Sequence, residues 1–556
     1  MLIKLTAGTV YDPANGVDGE VRDIYIRDNH IVGTPSADEK IDTEYDLRGK
    51  VVMAGAIDLH THIGGGKVNI ARTLLPEFCR SEPGENDTRP RSGCSRATPS
   101  TLLAGYRYAE MGYTSAFEPA VLPVNARQAH MEMADTPILD TGGYAMLGND
   151  DFLLRMLSTG AEQQLINDYV AWILHATQCV GIKVVNPGGI SAFKFNQRKL
   201  DLDETTPYYN VTPRSIVSRL SQALYELGIP HPLHVHASNL GVPGNFRTTL
   251  DTMEAAAGLP LHLTHIQFHS YGTEGDHRFS SAAAEIAEAI NANHNISADV
   301  GQIMFGQTVT LSADTMHQHA NHQHAHPNKW VCTDIECEGG CGVVPFRYRD
   351  KNFVNAMQWA IGLEIFLMVD DPWRVFLTTD HPNGAPFTSY PHLMRLLMDR
   401  SFREEMLLQI HPEVAAHSRL AGLTREYTLY EMAIMTRAGP ARILGLKDRG
   451  HLATGAVADI AVYNVDKNRQ RMFECPAYVF KSGELVVRDG DIWNVVRGNT
   501  HVVRPEFDSG IEKSLSDYFD RYHSIRIQNF RISDDEMANH IGSPVMVTDC
   551  IARSNR

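Results

Sequence analysis

From residue 51 to residue 380 the sequence alternates short apolar runs with helical patterns, and this alternation restricts the fold more than any other feature. The runs fall at 51–57, 114–117, 144–147, 180–185, 232–237, 261–267, 295–300 and 373–380. Between them a 3.6-residue period predicts helices over 102–111, 151–176, 215–227 and 281–292. Strands that alternate with helices imply a parallel sheet, and about eight such units imply an α/β fold of the (β/α)8 barrel type.

The two ends of the chain read differently. Residues 1–50 hold strand patterns at 3–10, 23–26 and 30–32, with Asp12-Pro13-Ala14-Asn15-Gly16 as a turn. Past the barrel a helix is predicted over 429–446 and a turn followed by a strand over 455–463. Residues 478–481 and 484–488 flank Ser482-Gly483 as a hairpin. One small β-domain built from both termini accommodates these segments. The expected organisation is 1–50 and 446–505 for that domain, 51–445 for the barrel, and 506–556 for an extension without assigned chemistry. A chain of 556 residues exceeds one ordinary core, in keeping with a large and a small domain.

Composition removes several function classes. A net charge of −16 argues against nucleic-acid binding, which needs a basic face. The first residues alternate like a strand and lack a signal peptide's long apolar region, and no run approaches a membrane span. The eight cysteines are scattered, with no Cys-x-x-Cys pair, so reduced thiols in the cytoplasm are expected.

Barrel enzymes carry their reactive groups at the C-terminal ends of the strands. The metal-type residues at those positions are His60 and His62 in Asp58-Leu59-His60-Thr61-His62, Lys183, His236, His265 and Asp380. Each alone reads as well as a packed or surface residue. Lys183 is the informative one, because an ammonium among apolar strand residues must find a partner or lose its charge. A neutral amine there can capture carbon dioxide as a carbamate, which bridges two metal ions as a carboxylate would.

The order His-x-His, Lys, His, His, Asp resembles the binuclear pattern of the metal-dependent amidohydrolase superfamily, and Gly455–Val462 resembles its returning β-domain segment. Within it, Gly64-Gly65-Gly66-Lys67-Val68-Asn69, the stretch from His236 to Asn245, and Thr378-Thr379-Asp380-His381-Pro382-Asn383-Gly384 resemble the A components of formylmethanofuran dehydrogenase. They equally resemble the bacterial counterparts in the formyltransferase/hydrolase complex. The resemblance implies two divalent cations, zinc first, a carboxylated Lys183, and His60, His62, Lys183, His236, His265 and Asp380 as ligands. It also implies hydrolysis of N-formylmethanofuran to methanofuran and formate, or the reverse condensation, inside a heteromeric complex. Asp380 would serve as both ligand and proton shuttle. Lys67, Asn69, Asn239, His269, His381 and Asn383 are the substrate-binding candidates, and His234 lies near the ligands. A cyclic amidase of the dihydropyrimidinase or dihydroorotase type shares all six ligands, and a non-catalytic scaffold of the same fold is the second rival. The histidine-rich stretch His317, His319, His322, His324 and His326 reads as a solvated insertion, and Cys332, Cys337 and Cys341 fit no metal pattern.

Overall fold

The computed structural model describes residues 1–77, 97–193, 195–197, 199–312, 315–333 and 341–553. The barrel strands are β1 (Ala56–Asp58), β2 (Tyr113–Val121), β3 (Asp140–Met146), β4 (Gly181–Val185), β5 (Leu233–His236), β6 (Leu261–Leu263), β7 (Ile296–Asp299) and β8 (Val375–Phe376). Each pairs in parallel with the next, in chain order, from β1 to β8. The two ends meet just past the strands: Thr61 forms a parallel bridge with His381, His62 N donates to His381 O at 2.9 Å, and Thr378 Oγ1 donates to His60 O at 2.7 Å. The closure therefore lies in the layer that carries the strand-end histidines.

The apolar run 51–57 is not one strand, as its sequence suggests, but two. Lys50–Ala54 pairs with Leu2–Asp12 and Ile460–Asn464, whereas β1 begins after Gly55. Thr114 crowds Gly55 so closely that a Cβ there would sit 2.3 Å from its Oγ1, and only glycine lets the chain pass between the two sheets. Two other expectations shorten in the same way. The segment 261–267 leaves the strand after Leu263 and turns into a short helix at Ile266–His269. The helical pattern 151–176 is two helices, Asp151–Ser158 and Gln163–Thr177, separated at Gly160 with φ +71°.

Nine strands from both ends of the chain form the second sheet, in which Ile460–Asn464 lies antiparallel to Lys50–Ala54. Thr500–Val503, expected in this small domain, instead pairs with the first half of β3 at Thr141 and carries Val545–Thr548 on its other edge. Only the second half of β3 pairs with β4, which leaves that edge free. Between β7 and β8 a three-stranded antiparallel sheet, Gly306–Ser312, Val331–Thr333 and Cys341–Tyr348, is inserted over the barrel mouth. The segment after Lys67 up to Pro99, rich in Pro, Gly, Ser and Arg and too long for a plain connection, reads in the sequence as a lid or substrate loop; most of it lies outside the described residues, as does Cys337. Among the described residues, no helix is long and apolar enough to cross a membrane.

Barrel and small sheet are joined by a buried ionic cluster. Asp140 Oδ2 accepts from Lys481 Nζ at 2.7 Å and from Arg449 Nε at 2.7 Å, and Asp459 Oδ2 accepts from the same lysine at 2.8 Å. Burial alone would raise the Asp140 carboxyl, but Lys481 and Arg449 hold it well below the ordinary range. Its contribution is therefore present above the ordinary carboxylate pKa and is lost as pH falls. Asp140→Ala leaves two buried cations undercompensated, and its expected cost is ~3–5 kcal/mol in a urea unfolding series. A cost below ~1 kcal/mol would contradict the cluster's role as the joint.

Candidate metal centre

Past β1 the backbone is held by Asp58, whose Oδ1 accepts from His60 N at 3.0 Å and whose Oδ2 accepts from Tyr108 Oη at 2.7 Å and from Tyr390 Oη. Burial pushes this carboxyl up to about 6. Above it, His60 Nε2 lies 2.9 Å and His62 Nε2 lies 3.5 Å from one oxygen of Asp380. These three form one of the groups able to hold a cation among the described residues. His236, His265 and His269 form another, with ring centroids 4.6 to 5.3 Å apart.

The outer nitrogens of the first pair are engaged. His62 Nδ1 lies 2.8 Å from Glu118 Oε1, and the other oxygen of Glu118 accepts from Ile63 N at 2.8 Å and Gly64 N at 3.1 Å. His60 Nδ1 lies 2.9 Å from His234 Nε2 and 3.3 Å from Asp299 Oδ2. The same Asp299 reaches His262 Nε2 at 3.1 Å and accepts from His265 N at 2.7 Å. A third group of metal-type atoms, His60, His234 and Asp299, is thereby internally hydrogen-bonded and serves to orient His60. A carboxylate behind a histidine fixes its tautomer and raises its basicity toward a metal.

The electrostatics suit a cation. Burial would raise Asp380, but His265, His60 and His62 hold it well below the usual carboxylate range, so it stays ionised. Burial would lower His62, but Glu118 and Asp380 raise it to about 9. Burial lowers His265 to about 3 and takes His236 and His269 well down, the neighbouring imidazoles adding to the effect, so these three rings are neutral donors. Neutral imidazoles beside carboxylate form a donor set of the kind zinc and similar ions take. Lys183 is 2% exposed, and burial brings its amine down to about 8 against the opposing pull of Asp380, Asp299 and Glu118.

Two of the strand-end residues sit in strained backbone. His265 has φ +35° and Asp380 φ +51°, the left-handed region that side chains rarely adopt. Gly301 makes room for both, since a Cβ there would lie 2.3 Å from His265 Cβ and 3.5 Å from Asp380 Cβ.

A cavity of about 460 Å³ opens above these residues. His60, His62, Lys183, His236, His265 and Asp380 all line it, so the structure brings together the six strand-end residues marked in the sequence. Its outer walls are Phe193, Leu240, Phe268, Leu311 and Tyr348, with Lys67, Gln358 and Asn383 as polar points. Of the substrate-binding candidates, Lys67 and Asn383 line the cavity and His269 stands beside His236 and His265. The other three are turned to structural tasks. Asn69 pairs with Glu132 and accepts from Arg72 at 2.7 Å; Asn239 donates to Asp201 at 2.8 Å and accepts from Leu200 N; His381 Nδ1 accepts from Phe387 N at 3.2 Å. The histidine-rich insertion is not wholly solvated, because the short helix Thr315–Ala320 brings His317 and Gln318 to the cavity wall.

Glu118 and Asp299 are not singled out in the sequence. Each is one acidic residue in or at the end of a buried strand, and the only signal is that burial demands a partner. Glu118→Gln is expected to weaken divalent-cation affinity by roughly 10–100-fold with the fold retained, by analogy with other outer partners of metal ligands. Isothermal titration of the metal-stripped protein reads this out, and unchanged affinity would leave Glu118 only a clamp on the loop backbone.

The amidohydrolase family profile matches residues 43–492. The chain is 42% identical over 548 residues to the A component of the formyltransferase/hydrolase complex Fhc of Methylorubrum extorquens, covering 98% of each chain. It is 40% identical over 551 residues to protein FwdA of Methanocaldococcus jannaschii, covering 95% of this chain and 96% of the relative. A chain in the X-ray crystal structure of the formyltransferase/hydrolase complex FhcABCD from Methylorubrum extorquens, in complex with methylofuran, superposes with a TM-score of 0.93 at 42% identity. That match covers 99% of this chain and 100% of the other.

Proposed function

Since the chain belongs to the amidohydrolase family, we propose that it hydrolyses the formamide of an N-formylated methanofuran-type cofactor to the free amine and formate, or runs the reverse condensation. The observation that carries this reading is Lys183, a buried lysine with a lowered amine pKa that lines one cavity with His60, His62, Asp380, His236 and His265. His60, His62 and Asp380 would hold one divalent cation, His236 and His265 the other, and carboxylated Lys183 would bridge them. When bound, such a pair lowers the pKa of water toward neutrality and polarises a carbonyl oxygen.

The chain's own residues supply the rest. Asp380, ionised and placed between the two first histidines, accepts the proton of the attacking water and returns it to the leaving amine. The carbon–nitrogen bond breaks, the water oxygen stays on formate, and the proton leaves with the amine. Glu118 and Asp299 keep His62 and His60 in the tautomers that present Nε2 to the site. The apolar wall from Phe193 to Tyr348 excludes water around a flat organic group. The choice of substrate is supported by the relative solved with methylofuran, and the same relative supports a place for this chain in a heteromeric complex. Isolation from its native source as a lone monomer would count against that last point.

The assay that tests the reaction measures formate released from N-formylmethanofuran, beside turnover of hydantoin and dihydroorotate. Formate release with no hydantoinase or dihydroorotase activity is expected. The converse result would favour the cyclic amidase, and no turnover of any of them by metal-replete complex would favour the scaffold.

A further inference from the structure

We infer that His269 is a further cation ligand, which completes with His236 and His265 a three-imidazole face beyond the six residues the family pattern uses; the inference rests on the two-cation reading above. His265 and His269 stand four residues apart, with the turn Ile266–His269 between β6 and the next segment. His265 precedes that turn in left-handed backbone, at φ +35°, and the turn carries the chain from it to His269. Here the two rings stack at 5.3 Å and 24°. The third ring, His236 at the end of β5, meets them edge-on at 4.6 Å and 5.0 Å. One ring nitrogen from each residue lies within 4.8 Å of the other two.

The second observation is what His269 lacks. It is 1% exposed, and among the described residues neither of its ring nitrogens has a hydrogen-bond partner; His265 Nδ1 has none either. Buried polar atoms without partners are rare and costly, and each calls for an explanation. A histidine buried only for packing keeps a partner, as His130 does on Thr177 O at 2.8 Å and His262 does on Ser297 and Asp299. His269 is instead held by its backbone, whose carbonyl accepts from Thr249 Oγ1 at 2.8 Å, and that leaves the ring aimed at its two neighbours. An imidazole-rich face of this kind favours zinc or cobalt over magnesium.

The test uses full-length protein with the subunits that copurify, stripped of metal and titrated with Zn²⁺ and, separately, Co²⁺. His269→Ala and His269→Gln are compared with the parent. The expected result is loss of affinity for one of two equivalents by at least about tenfold, since even outer partners of a metal ligand are worth roughly 10–100-fold. The other equivalent should bind as in the parent, which also reports an intact fold, and the visible absorption of the Co²⁺ protein should change. Parent affinity and parent Co²⁺ spectrum in both variants would overturn the inference, even if turnover fell, because His269 would then act on substrate alone. Loss of both equivalents would overturn the assignment to one position. If the parent itself binds fewer than two equivalents, the two-cation reading fails before His269 is at issue.

Discussion

Lys183→Ala is expected to abolish formate release, with partial recovery on addition of short carboxylic acids. The side chain lies in β4 at 2% exposure, where an ordinary ammonium would be costly. Its amine titrates near 8, the first cause being burial, so an appreciable neutral fraction exists at physiological pH. Only the neutral amine attacks carbon dioxide. At a fixed concentration of dissolved carbon dioxide, reconstitution of stripped protein with zinc should therefore quicken as pH rises through about 8 and level off above it. The alanine variant leaves a gap of the right size for acetate or propionate to take the bridging place. Near-parent turnover in Lys183→Ala would refute the carbamate, and turnover lost without any rescue would leave Lys183 with another role.

Asp380→Asn tests the proton path. The residue follows β8 in left-handed backbone, fixed by its N–H to Thr378 Oγ1 at 3.0 Å and by the space Gly301 leaves. Asparagine keeps most of that geometry and removes the base. General acid–base work is typically worth roughly 10²–10⁴-fold, and kcat should fall by at least that much with most of the metal retained. Metal lost with the rate per bound metal unchanged would make Asp380 a ligand only, and the proton would have to pass through a neighbouring group.

The barrel was legible because short apolar runs alternate with longer stretches of helical period, and length separates strand from helix where an apolar run alone does not. Strand ends were less so. Periodicity cannot show that a run such as 51–57 serves two sheets, since the break is made by Thr114 against Gly55 from another strand. Nor does it show that β6 stops at Leu263, where His265 enters the left-handed region. The meeting of His60, His62 and Asp380 followed from their strand-end positions, whereas Asn69, Asn239 and His381 share motif stretches with site residues yet hold loops in place. Motif membership does not distinguish a loop's contacts from its fasteners. Glu118 and Asp299 were invisible for the opposite reason, because a single acidic residue acquires meaning only from what folding sets beside it.

The proposed chemistry depends on a two-cation centre, and elemental analysis of active protein tests it most directly. Two divalent cations, zinc foremost, are expected for each chain. Active protein with well under one equivalent would contradict it.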